Sequence, residues 1–270
     1  MAFFLVMVAS EGGDRPNLLD LLKEPILSIQ EFCVLAGRAF RNIVRSPHYP
    51  DDIFFQMDTI GVGSLLIVVI VGFFSGAVMA LQMYHALATY GQVGKTGQLV
   101  SITLVRELGP VLTAVMVAGR NASGIASELG SMKVTEQIDA MRALGTDPLQ
   151  KLVTPRLIAT GVMLPLLVVI GDFVGIFGGW VICHFVLALP SKQYWITAWQ
   201  ALDGMDVCEG LLKPFLFAIV IALIGCFYGL RTTGGTQGVG RATTQAMVMA
   251  TVLVFVLDLV VTKIFVSQAA

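Results

Sequence analysis

Charge is what this chain has little of. Only 13% of its 270 residues are Asp, Glu, Lys or Arg, about half of the roughly one quarter that keeps a soluble domain solvated. That shortage excludes a water-soluble globular protein, and a hydrophobic content of 56% excludes an intrinsically disordered one. A formal net charge of -1 leaves no overall basic field, so sequence-wide nucleic-acid binding has no electrostatic support. The cysteines Cys33, Cys183, Cys208 and Cys226 and the histidines His48, His85 and His184 are scattered without CxxC or other ligand spacing. This argues against a disulfide framework and against a metal site.

Nucleotide and catalytic motifs are missing as well. Gly94-Lys95-Thr96 ends like a phosphate-binding P-loop, but Thr89 stands where that motif needs glycine. Gly235-Thr236-Gln237-Gly238-Val239-Gly240 is not in GxGxxG order and follows no strand, so it reads as a flexible turn. HExxH and GxSxG do not occur, which removes zinc hydrolases and nucleophile-elbow enzymes. The chain is therefore read as no enzyme and as holding no cofactor; if ATP is used, another subunit must bind it.

What the sequence has is apolar length, with a mean hydropathy of +0.82. From Thr59 to Gly94 no charged residue occurs, well beyond the ~20 residues that cross a hydrocarbon core. Further apolar stretches predict an all-α integral membrane protein of about five transmembrane helices, at about 59–90, 98–127, 157–187, 211–230 and 243–266. The apolar start MAFFLVMVA lacks a basic flank and runs into Glu11 and Asp14, so no cleaved signal peptide is expected. Between Leu18 and Arg45, apolar positions alternate with Lys23, Glu24, Arg38 and Arg41. This predicts an amphipathic helix lying in the interface and broken near Pro25, or else one packed on a partner.

Orientation follows from the basic residues, which cytoplasmic flanks retain. One side collects Arg15, Lys23, Arg38, Arg41, Arg45, Lys133, Arg142, Lys151, Arg156, Arg231 and Arg241; the other holds Lys95, Lys192, Lys213 and Lys263. The N-terminus is therefore expected in the cytoplasm and, with five spans, the C-terminus on the far side.

Glycines at GxxxG spacing, Gly72 and Gly76, Gly171 and Gly175, Gly175 and Gly179, Gly225 and Gly229, allow two helices to approach closely. They serve either the packing of the bundle or a homodimer seam. The second span carries Arg106, Glu107 and Arg120, and the third carries Asp172. Ionisable groups in a membrane normally face a cavity, a partner or a substrate. Arg106 and Glu107, adjacent in sequence, point about 100° apart on a helix and do not neutralise each other. Pro110 has no N–H and deprives the Arg106 carbonyl of its helical partner. A polar, kinked place is expected here, its charges either lining a site or pairing with other helices through residues such as Asp172 or Asp258.

The longest polar stretch within the membrane region follows the second span. There Thr135 is expected to cap a short cytoplasmic helix, with Ile138, Met141 and Leu144 as its apolar stripe and Gly145 ending it. Such a helix can dock into a groove of another protein, whereas Glu128, Glu136, Asp139 and Asp147 would be repelled by anionic lipid.

The stretch VRELGPVLTAVMVAGRNASGIASELGSMKVTEQIDAMRALGTDPLQKLVTPR resembles the core signature of the MlaE/YrbE permease family, membrane subunits of Mla and Mce-type lipid ABC transporters. The resemblance extends upstream through GVGSLLIVVIVGFFSGAVMALQMY and downstream through GRATTQAMV, so that residues 58–270 form the permease domain and 1–57 a separate segment. Asn121 departs from the small residue the family often has there. The resemblance implies an inner-membrane homodimer, two copies of an ABC ATPase subunit (MlaF-like) that binds ATP and Mg, a periplasmic MCE-domain protein (MlaD-like), and phospholipid as cargo. It places a coupling helix on Thr135, Glu136, Gln137, Ile138, Met141 and Leu144. Lipid-facing positions fall on Ala77, Leu81, Tyr84, Arg106 and Glu107. Two other readings compete: an ion- or proton-coupled secondary transporter with Glu107, Asp172 and Asp258 as a relay, and a membrane scaffold that only anchors a partner.

Overall fold

The computed structural model of the chain describes residues 18–44 and 49–269, and the boundary between its two compact units falls between His48 and Tyr49. The expected boundary at residues 57 and 58 lies instead inside a continuous helix. The start MAFFLVMVA, Arg15 and Arg45 lie outside the described residues.

The first unit contains α1, Leu18–Val44. It runs unbroken through Pro25, where a break was expected. Its exposed side chains include Ile26, Leu27, Ile29, Val34 and Phe40.

The elements of the second unit are all helices among its described residues. It comprises α2 (Pro50–Ala88), α3 (Val93–Val134), α4 (Gln137–Ala143), α5 (Leu149–Phe185), α6 (Ser191–Gln200), α7 (Gly204–Leu230) and α8 (Gly235–Ala269). The long helices α2, α3, α5, α7 and α8 are apolar enough to cross a membrane, which makes this a multi-pass membrane protein. Each of them starts before its apolar stretch does, α2 already at Pro50, because helices continue past the hydrocarbon where charged side chains reach water. Pro50 opens α2 with its φ already helical, and Asp51 and Asp52 oppose the positive end of the dipole. The expected flexible turn at Gly235–Gly240 is absent: Gly234 and Gly235 reverse the chain at positive φ, and α8 starts at once.

The GxxxG glycines all pack inside the chain. A Cβ on Gly72 would lie 2.8 Å from the Gly171 carbonyl, and one on Gly76 would strike the backbone of Gly175, so α2 and α5 touch backbone to backbone. Gly225 and Gly229 likewise bring α7 against Ala122, Ala126 and Leu129 of α3. In a bilayer this close approach substitutes for the hydrophobic drive that lipid removes. These glycines are therefore engaged within the chain.

One helix escaped the sequence reading. α6 buries Tyr194 and Ala198 against α3 and α5, and its anchors are buried hydrogen bonds from the Tyr194 hydroxyl to the Ile176 carbonyl (3.0 Å) and from the Ser101 hydroxyl to the Ala198 carbonyl (3.0 Å). Trp195 leans on Trp180, with ring centroids 6.3 Å apart, and Trp199 is exposed. Every tryptophan of the chain thus gathers at this end, as expected of the belt at a membrane surface.

Candidate functional site

α3 is not a uniform helix. It widens into a π turn at Leu104–Leu108 and again at Ala118–Ala122, and between them these turns hold Arg106, Glu107 and Arg120, the only ionisable residues of the predicted second span. Such turns are rare and collect at functional places. In the first turn the cause is visible: Pro110 cannot donate to the Arg106 carbonyl, and Gly109 N–H reaches back five residues to Leu104.

The freed carbonyl finds a partner from another helix. Lys213 of α7 donates from Nζ to the Arg106 oxygen at 2.8 Å and lies 2.9 Å from Glu107, 3.2 Å from Glu209 and 3.3 Å from Asp258. Its side chain is wholly buried. Glu107 also accepts from the Thr262 hydroxyl of α8 at 3.2 Å. One lysine therefore ties α3, α7 and α8 together. A cation sealed from water is tolerable only when it is paired and hydrogen-bonded throughout, and removing it would strand several carboxylates.

Arg106 points the other way. Its Nε pairs with Asp206, whose other oxygen accepts from the Asp203 N–H at 3.0 Å in the capping box that opens α7. Nη1 and Nη2 make no hydrogen bond to any described residue, and 45% of the side chain is exposed. Asp206 thus fixes the guanidinium by its stem while leaving both ends of the fork free. Such a fork matches the geometry of a carboxylate or a phosphate.

Several expectations need correction. Lys213, counted among the far-side flanking charges, is the buried centre of the bundle. Arg106 pairs with Asp206 rather than with Asp172 or Asp258. Asp172 stands apart from the cluster, with its buried Oδ1 lying against Gly109 and lacking a hydrogen-bond partner among the described residues, so Glu107, Asp172 and Asp258 do not form one chain of contacts. Ala77 is only 6% exposed and offers no surface to a ligand, while Leu81 and Tyr84 are half-buried. Met79 and Met83 pack on the same apolar cluster as Val105 and Leu108, which brings the end of α2 beside the first π turn. The partners Asp206, Glu209, Lys213 and Thr262 were all missed. The spacing of Glu209 and Lys213 by one helical turn at the mouth of an apolar run was their one available signal.

At the other end of α3 lies α4. Its N-cap is Glu136, in the left-handed region at φ 60°, and not Thr135, whose hydroxyl donates to the Ser131 carbonyl at 2.9 Å. Ile138 is fully buried and anchors α4, Met141 is half-buried and Leu144 is 84% exposed, so these residues do not form one exposed stripe. Lys133 and Arg142 each contact Asp139 at 2.8 Å. The Lys133 hydrogen bond, assisted by both positive charges, holds the Asp139 carboxyl below the usual carboxylate range.

Known proteins are similar to this chain in sequence over most of its length. The family described as Permease MlaE matches residues 53–264. A probable ABC transporter permease protein of Rickettsia bellii is 40% identical over 238 residues, covering 88% of this chain and 92% of that protein. The intermembrane phospholipid transport system permease protein MlaE of Haemophilus influenzae is 35% identical over 210 residues, covering 77% and 80%. The chloroplastic protein TRIGALACTOSYLDIACYLGLYCEROL 1 of Arabidopsis thaliana is 33% identical over 236 residues, covering 87% and 67%. With its five apolar helices and a charged α3 interrupted by two π turns, this chain belongs to the MlaE permease family of ABC transporters.

Proposed function

We propose that two copies of this chain form the membrane path of an ABC transporter that moves phospholipid, with Arg106 meeting the headgroup phosphate. The observation that carries this reading is the half-exposed guanidinium held by Asp206 with both Nη atoms free, beside the paired Glu107. Leu81 and Tyr84, at the end of α2, would line the acyl chains. The printed name of the Haemophilus influenzae relative supports phospholipid as the cargo.

Energy would come from a separate ATPase subunit that holds ATP and Mg and docks on α4. Because Ile138 is turned into the bundle, the docking surface we assign consists of Glu136, Gln137, Met141 and the exposed Leu144, with Thr135 bracing the turn before them. A rigid helix at the end of α3 can pass a displacement directly to the charged turns above it. An MCE-domain protein on the periplasmic face would exchange the lipid. On this reading the chain sits in the bacterial inner membrane, with its N-terminus in the cytoplasm and its C-terminus outside, as the bias of its basic residues supports.

The test is lipid retention by the purified complex, read by native mass spectrometry. Arg106→Gln keeps a hydrogen-bonding partner for Asp206 but removes the fork. It should lower phospholipid occupancy about tenfold, the worth of one charge-assisted pair, while the oligomer and its ATPase stay assembled. Unchanged occupancy would sink the assignment of Arg106.

A further inference from the structure

Arg120 is the other intramembrane cation of α3, and nothing above uses it. It sits at the second π turn and is exposed. Nη1 donates to the Ser64 hydroxyl of α2 at 3.0 Å and to the Thr59 carbonyl at 3.5 Å; Nε and Nη2 have no partner among the described residues, and neither does any carboxylate pair with this arginine. The next acidic residue along α3, Glu128, is about two turns away and pairs with Arg156 at 2.8 Å.

The surroundings are shaped for the guanidinium. It lies across Gly63, where any Cβ would fall on its nitrogens. Gly119 and Gly124 have open space where side chains would stand, and Gly124, one turn from Arg120, is exposed. The depth is equally specific. Thr59 and Ser64 open the charge-free run of α2 just after Asp58, so the guanidinium lies near the hydrocarbon boundary on the α4 side of the membrane. Arg106 is roughly 20 Å away along α3 at 1.5 Å per residue.

We propose that Arg120, with Ser64 and the notch at Gly63, binds the phosphate of a phospholipid headgroup in the leaflet nearest α4. An arginine at this depth with only neutral oxygens for partners is an incomplete ion pair, and the anion that abounds at that level is a lipid phosphate. The site needs only that α2 and α3 span the bilayer, so it stands or falls separately from the role given to Arg106.

The experiment is a titration of the delipidated full chain in neutral detergent, read as a thermal shift, with dioleoylphosphatidylglycerol, dioleoylglycerol or inorganic phosphate. It is run in the unaltered chain and in an R106Q background, with light scattering to follow the oligomer. Phosphatidylglycerol should stabilise both; dioleoylglycerol, which has the chains without the phosphate, and inorganic phosphate should not. Arg120→Gln should weaken the phosphatidylglycerol response about tenfold in either background, and Arg120→Lys, which keeps the charge without the fork, should fall between. An unchanged response in R120Q overturns the site. Saturation by inorganic phosphate makes it a free-anion site instead. Loss of the oligomer with lipid binding intact assigns the missing anion to a carboxylate of a second copy.

Discussion

The two π turns of α3 bring charge into the membrane by opposite means. At Leu104–Leu108 the charges are answered from within the chain, Glu107 by a buried lysine and Arg106 by Asp206, and three helices converge on the result. At Ala118–Ala122 a single arginine rests on a hydroxyl and a carbonyl and leaves most of its donors unanswered. The first turn is built into the stability of the bundle; the second adds a charge to a bundle that closes without it. The same local distortion thus serves as a structural junction in one place and as an open cationic surface in the other. The difference lies in whether the neighbouring helix supplies a carboxylate or only a glycine notch.

If that contrast holds, removing the two cations has unequal consequences. Lys213→Met removes the fully buried cation shared by the part-exposed Glu107 and the more buried Glu209 and Asp258, and should cost about 3 kcal/mol, the lower end of the scale for breaking a buried pair. The protein should then aggregate or melt far earlier in detergent, and Asp258→Asn added to it should recover part of the loss. Arg120→Gln removes only two bonds to neutral oxygens and should cost no more than about 1 kcal/mol. A K213M chain that melts like the unaltered protein would abolish the distinction.

Glycines sharpen the comparison at a smaller scale. Gly109, next to the first turn, has Asp172 Oδ1 where a Cβ would stand and the Leu104 carbonyl at 2.9 Å, so Gly109→Ala must displace the buried Asp172 carboxylate and should cost about 1–3 kcal/mol. Gly124, next to the second, meets nothing within 4 Å. Gly124→Ala should be neutral or stabilise by up to about 1 kcal/mol, since alanine is the better helix former. Thermal melts of the two variants side by side decide the matter.

How far the sequence foretold this follows from which forces act locally. Arg106, Glu107 and Pro110 were legible because a charge in an apolar run and a missing N–H are properties of single positions. The helical fold and its apolar spans were legible from composition and run length. Lys213 was not, because it stands near the start of an apolar stretch, where a lysine reads equally as a flank. Only the neighbouring helices, which put Glu107 and Asp258 around it, show that α7 carries it inside. The choice between internal packing and a dimer seam for Gly72, Gly76, Gly171 and Gly175 was open for the same reason: the motif states that two backbones approach, not which two. In α4 the helix was legible but its register was not, since Thr135 is a good cap by propensity and loses to Glu136 in a left-handed conformation that only the tertiary turn imposes.

The smallest effect lies outside the membrane, where the same pairing chemistry meets water. Asp139 is exposed, and its two cations are Lys133 and Arg142. Its carboxyl is held below its ordinary 3.8, the Lys133 hydrogen bond being the largest cause. A lowered value in the folded chain means that folding favours the charged form. The contribution is therefore complete above 3.8 and disappears as the pH falls through the lower, folded value. The protection of the α4 amides against exchange, taken relative to the intrinsic rate at each pH, should accordingly stay constant through neutral pH and fall only below that point, with no large shift in the global melt, because exposed pairs are weakly stabilising. Lys133→Gln should return the Asp139 carboxyl toward 3.8 in a carbon-13 titration, and Arg142→Gln should move it less. If Arg142→Gln moved it more, α4 would be held by its own i, i+3 pair rather than by its tie to the end of α3. The path from α4 to the charged turns would then lose its ionic link through Lys133.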